Sequence, residues 1–158
     1  GDLTLQVLSK NESDRLKLKR HYAEKWIKQE ISGYQMLTKT NPGNSEYQHT
    51  LAMLYMQTRQ FKKATSHFLH SINTKPDYSE ARVNFAILLM RNGDSEKARE
   101  QLILALKNNP DYADAHFNLG LMLHNSGKKM EAKHHFEEAA LLRPEMEQAI
   151  KRQIARLR

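Results

Sequence analysis

The chain has 158 residues, of which 27% are charged, with a formal net charge of +7 and no cysteine. That length fits one domain able to bury roughly two thirds of its unfolded surface, and the absence of cysteine excludes disulfides and thiol chemistry. No apolar run approaches a membrane span, and because the sequence opens at Gly1, the lack of a visible leader carries no weight.

The first predicted element is a helix over about residues 14–40. Leu16, Ala23, Ile27, Ile31 and Tyr34 fall on one face, Trp26 beside them is expected to pack, and Ser32-Gly33 is a candidate kink. Just before it, Asn11-Glu12-Ser13 matches a glycosylation acceptor, a triplet that arises often by chance. Six shorter helices follow, expected at 45–58, 62–74, 79–92, 96–108, 113–126 and 130–142. Apolar residues recur in them at helical spacing, and glycine or proline punctuates their ends. Asp94, directly after Gly93, is expected to cap the helix that follows it. The last predicted helix carries Met146, Ala149, Ile150, Ile154 and Leu157 on one face, with Lys151, Arg152, Arg156 and Arg158 outside.

These elements repeat. Pro76, Pro110 and Pro144 stand 34 residues apart, each with an alanine twelve residues earlier (Ala64, Ala98, Ala132) and an apolar residue eight earlier (Phe68, Leu102, Phe136). Leu51, Phe85 and Leu119 share another register position, and Ala52, Ala86 and Gly120 the next. A fixed period of this length marks stacked units, each too small to close a core alone. Small residues at Ala132 and Gly120 let two backbones approach closely.

The set of positions resembles the tetratricopeptide repeat (TPR) family. It is clearest in Ala113-Asp-Ala-His-Phe-Asn-Leu-Gly followed by Gly127, Ala132, Phe136 and Pro144. The resemblance implies an all-α fold, a right-handed α-solenoid of stacked antiparallel helix pairs. It divides the chain into an N-terminal segment and capping half-unit (1–44), three units (45–78, 79–112 and 113–144), and a C-terminal capping helix (145–158). Two departures stand out. Gln48, Arg82 and His116 occupy a corner where the family carries an aromatic residue. Arg59 stands where the other units have Gly93 and Gly127, so that turn is either built another way or less stable.

The resemblance also implies a non-enzymatic protein-interaction module that binds a peptide or helix of a partner protein. In such arrays the first helix of each unit lines a concave groove. By register the groove set is His49, Thr50, Met53 and Gln57; Val83, Asn84, Ile87 and Arg91; Phe117, Asn118, Leu121 and Asn125. Met53, Ile87 and Leu121 would form an apolar stripe, and Asn84 and Asn118 would offer amides to a peptide backbone. The alternative is that the stripe packs against neighbouring helices and the asparagines bond locally. The family's carboxylate clamp for chaperone tails is not expected. Its positions hold His49 and Met53, Asn84, then Asp114 and Asn118, and Asp114 would repel a carboxylate.

No cofactor, metal site or catalytic constellation is indicated. His67 with His70 and His134 with His135 lack the convergent ligands that a metal site requires. Nothing matches a phosphate loop or an activated nucleophile. Basic charge concentrates at the ends, with a net +4 over residues 10–28 and +3 over 143–158. The runner-up function is therefore nucleic-acid or acidic-surface binding through the capping helices, or self-association through them. Compartment does not follow from these residues, although a cytoplasmic one is favoured over an extracytoplasmic or membrane-anchored one.

Overall fold

The structure, a computed structural model, describes residues 12–155. Eight α-helices make up these residues: α1 (Glu12–Thr40), α2 (Ser45–Gln57), α3 (Phe61–Thr74), α4 (Ser79–Arg91), α5 (Ser95–Asn108), α6 (Ala113–Asn125), α7 (Lys129–Leu142) and α8 (Glu147–Ala155). A short 3₁₀ turn, Pro144–Met146, leads into α8. The six central helices begin and end within one residue of the positions expected from the sequence.

Helices α2 and α3, α4 and α5, and α6 and α7 form antiparallel pairs, and the pairs stack in chain order into an α-solenoid. One register position explains the pairing. Ala64, Ala98 and Ala132 are fully buried in the second helices, and Ala52, Ala86 and Gly120, which share a register position in the first, are buried as well. A Cβ on Gly120 would come within 2.8 Å of the Phe136 ring and 3.3 Å of the Ala132 carbonyl oxygen, so this crossing leaves room only for hydrogen. Phe68, Leu102 and Phe136 fill the space beside these contacts and are fully buried. Each such side chain contributes about 1.5–3 kcal/mol by leaving water.

The turn inside each unit is the same. Residues Arg59, Gly93 and Gly127 have φ of 59°, 82° and 76°. In each case the next amide folds back to the preceding helix: Gln60 N–H to the Tyr55 carbonyl at 2.8 Å, Asp94 to Leu89 at 2.9 Å, and Lys128 to Leu123 at 2.9 Å. Arg59 therefore adopts the left-handed conformation, although its Cβ makes that costly. The linkers between units also repeat. Backbone bonds Asn44 to Asn41, Tyr78 to Lys75, Tyr112 to Asn109 and Met146 to Arg143 close the same turn at 34-residue intervals.

Three expectations are corrected. Asp94 sits at the N-cap position, but with ψ of 62° it is outside the extended region that capping requires, and its carboxylate instead meets Lys97 at 3.0 Å. Asn44 does cap, accepting from the Tyr47 amide at 2.9 Å. Trp26 and Leu16 do not pack: they are 56% and 60% exposed. The cause is length. At 29 residues α1 spans ~44 Å, whereas the 13-residue α2 beneath it offers only ~20 Å. Ile31 and Tyr34 reach the core, and the N-terminal half of α1 overhangs. It runs through Ser32 and Gly33 as one helix, with the Ser32 hydroxyl donating to the Lys28 carbonyl at 3.0 Å.

At the other end Ile150 is 1% exposed, and Met146 and Ile154 pack beside it, closing the core. Ala149 of that predicted face is exposed. Asn11 of the acceptor triplet, and Arg156, Leu157 and Arg158 of the closing helix, lie outside the described residues. No helix among the described residues is long and apolar enough to cross a membrane.

Candidate functional site

Helices α2, α4 and α6 touch one another in succession, as the first helices on the inner side of such an array are expected to do. The sequence-derived groove residues lie on these three helices, but they are not equally accessible. Met53, Ile87, Leu121, Thr50, Asn84, Phe117 and Asn118 are half-buried, while Gln57, Arg91 and Asn125 are exposed. His49 and Val83 are buried, so they support the wall rather than form its surface. Their register position points into the interface with the next unit, where His49 stacks edge-on against Tyr78 at 5.2 Å.

Met53, Ile87 and Leu121 are half in contact with the core and half open to the groove. Beside Met53 an open cleft of about 360 Å³ is lined by Thr50, Met53, Leu54, Met56, Gln57 and Arg91. Four of those six belong to the predicted set. Its floor is apolar and includes two methionines, whose unbranched side chains adapt to irregular shapes. Its rim carries the Arg91 guanidinium and the Gln57 amide.

The two asparagines share a register position yet bond differently. Asn84 donates from Nδ2 to His49 Nε2 at 3.0 Å, and the other imidazole nitrogen, Nδ1, lies 3.3 Å from the Tyr78 hydroxyl. With Nε2 accepting, Nδ1 carries the proton of a neutral imidazole, donated to Tyr78. Burial, the dominant cause, pulls the His49 pKa below its ordinary value against the opposing charges of Glu80 and Glu46. Burial likewise pushes Tyr78 up to about 12, with Glu80 and Glu46 adding to it. Asn118 instead donates to the Asp114 carbonyl one turn back at 2.7 Å. The preceding unit offers Val83 where Asn84 finds His49, and valine has no acceptor. In both cases one amide edge is committed to the protein.

Asp114 is also not the bare carboxylate the sequence suggested. Arg143 grips it with two nitrogens, at 2.6 and 2.8 Å, and tethers the end of α7 to the start of α6.

Sequence reasoning missed a second recurring set. Where the aromatic corner is absent, Gln48, Arg82 and His116 each bridge two partners. Gln48 meets His67 Nδ1 at 2.7 Å and the Pro42 carbonyl at 3.5 Å. Arg82 donates to Gln101 at 2.7 Å and to the Pro76 carbonyl at 2.8 Å. His116 meets His135 at 2.9 Å and the Pro110 carbonyl at 2.8 Å. The same latch is thus made three times with different residues. Because the Pro110 carbonyl can only accept, His116 carries a proton on Nε2, and in its neutral form its Nδ1 accepts from His135 Nδ1. Burial lowers the pKa of both His67 and His135, aided in the latter by His116 and His134. Among the described residues no three His, Cys, Asp or Glu side chains converge as a metal set.

Comparison with known proteins identifies the fold and the family. Residues 45–78 and 83–132 match family models described as Tetratricopeptide repeat. Together they span more than half of the chain. Among solved structures, MamA is similar with 21% identity, 80% of this chain and 69% of that one covered, and a TM-score of 0.67. YrrB, described as a TPR protein with an unusual peptide-binding site, matches with 18% identity, coverage of 84% and 69%, and a TM-score of 0.69. The first TPR of Spaghetti (RPAP3), bound to the HSP90 peptide SRMEEVD, matches with 18% identity, coverage of 72% and 89%, and a TM-score of 0.67. No curated protein gives a significant match.

Proposed function

The chain belongs to the tetratricopeptide repeat family, and from that premise we propose that it is a non-catalytic adaptor whose concave wall holds a peptide or helix of a partner protein. The observation that carries this reading is the line of Met53, Ile87 and Leu121, half-open along three successive helices and widening at Met53 into the cleft bounded by Arg91. An apolar line with polar flanks suits an amphipathic segment, whose alternate or one-turn-spaced apolar residues would sit on it. Asn84 and Asn118, with one amide edge each already engaged, have their side-chain oxygens left to accept from a ligand's backbone N–H. Two structural neighbours are peptide binders by description, which supports a groove ligand of this general kind.

A purely acidic tail fits less well. The wall offers Arg91 as a cation, and the position where a carboxylate clamp would place a second one holds Asp114, whose charge Arg143 already neutralises. The test is selection of binders from a displayed library of random peptides, followed by titration against wild-type protein and Leu121→Asp. Ligands that bind both equally would place the site elsewhere.

A further inference from the structure

The overhanging half of α1 is the largest feature that the groove reading leaves unused. Between Glu12 and Lys28 it carries Arg15, Lys17, Lys19, Arg20, Lys25 and Lys28 against Glu12, Asp14 and Glu24, a net +3. Only Lys17 is tied to an acid, meeting Asp14 at 3.2 Å; the other five cations form no ion pair among the described residues. Leu16, Tyr22 and Trp26 are each more than half exposed. Tyr22 and Trp26 lie one turn apart, in line with Leu18, and Leu16 and Ala23 make the adjoining strip, which runs on into half-buried Ile27 beside Gln57, Thr58 and Arg59 of the repeats. Arg20, Lys17, Lys28 and Lys25 occupy the opposite side with Asp14 and Glu24, while Arg15, Lys19 and Glu12 stand between the apolar strips.

We propose that this segment is a membrane-surface helix, which lies in the headgroup layer of an anionic phospholipid bilayer. Three properties select that occupant. Indole and phenol rings combine an apolar body with a polar edge and settle at the boundary between water and acyl chains. Lysine and arginine stems are long enough to cover apolar surface while their charges reach phosphates, which gives Arg15 and Lys19 a place between the apolar strips. The excess of cations complements acidic headgroups and opposes pairing with a second copy of the same helix, which would bring +3 against +3. A nucleic-acid duplex would use the cations but leave Leu16, Tyr22 and Trp26 in water. Because the helix extends past α2, Tyr22 and Trp26, which lie off the face that Ile31 and Tyr34 turn toward the repeats, stand clear of the packed array. The proposal does not depend on the groove reading.

Trp26 is the only tryptophan in the chain, so its emission reports this helix alone. The full chain is titrated with vesicles of phosphatidylserine and phosphatidylcholine, with vesicles of phosphatidylcholine alone, with a mixed-sequence oligonucleotide, and with no addition over a concentration series. Expected is a blue shift and co-sedimentation with the acidic vesicles only. Apparent affinity should weaken at least tenfold in Lys19→Glu/Lys25→Glu, whose circular dichroism and melting match wild type. Co-sedimentation of Trp26→Ala should fall severalfold at unchanged charge. Absence of a shift on acidic vesicles would overturn the proposal. So would an equal response to the oligonucleotide, or a shift that grows with protein concentration alone and marks a second copy as the occupant.

Discussion

The amide nitrogen of Asn84 lies 3.0 Å from Nε2 of His49, so a groove residue of one unit is held by a buried imidazole of the unit before it. The bond works only while His49 is neutral, because an imidazolium has no nitrogen left to accept. It links the inner surface of the array to its interior, through Tyr78 on the far side of the ring.

That link gives the fold a pH dependence. His49, His67 and His135 all have pKa values lowered by burial. In the unfolded chain they take up protons near the ordinary value of about 6.5, while the folded chain resists until lower pH. The unfolded state then binds more protons, so stability rises with pH in this window. Full stability is expected above about pH 6.5 and is lost as pH falls from there through the folded-state values. Urea midpoints at about pH 7.5 and about pH 5.5 should differ, with the lower midpoint at the lower pH. In His49→Gln the difference should shrink.

The strained turn predicts a gain. Arg59 holds φ of 59° in a position where the other two units have glycine. Arg59→Gly removes the left-handed cost but gives the unfolded chain more freedom, so the net stabilisation should be about 0.5–1 kcal/mol. Thermal melting checks it: an unchanged or lower midpoint would mean that the arginine side chain is making compensating contacts.

The polar latch predicts coupling. Arg82→Ala removes bonds to Gln101 and to the Pro76 carbonyl and should cost about 1–2 kcal/mol at this partly exposed site. Gln101→Ala should cost less, because the Pro76 bond survives it. The double variant should lose less than the sum of the singles, and denaturant titration of the four proteins measures the difference.

Much of the array was legible in the sequence because its packing needs particular side chains at particular positions. Phe68, Leu102 and Phe136, Ala64, Ala98 and Ala132, and the turn glycines recur because each fills one shape. The latch escaped notice because hydrogen bonding can be satisfied by many residue pairs. Gln48 with His67, Arg82 with Gln101, and His116 with His135 share geometry but no letters. Polarity in all six places, at one constant spacing, was the signal that could have revealed it. Trp26 was misplaced for a different reason. Helical periodicity identifies an apolar face but says nothing of whether a partner helix is long enough to cover it. The groove positions followed from register alone, yet which of them face solvent did not. His49 and Val83 are buried by the next unit, a relation between units that one unit's pattern does not contain.

Ligand recognition is proposed to run through the line of Met53, Ile87 and Leu121. It is tested most directly by calorimetric titration of a peptide selected on the wild-type protein against two matched variants, Leu121→Asp in the groove and Ile103→Asp on the exposed side of α5, both first verified by melting. Affinity should fall at least tenfold, about 1.4 kcal/mol, for Leu121→Asp and stay unchanged for Ile103→Asp. Equal affinity of the peptide for wild type and a folded Leu121→Asp would contradict it.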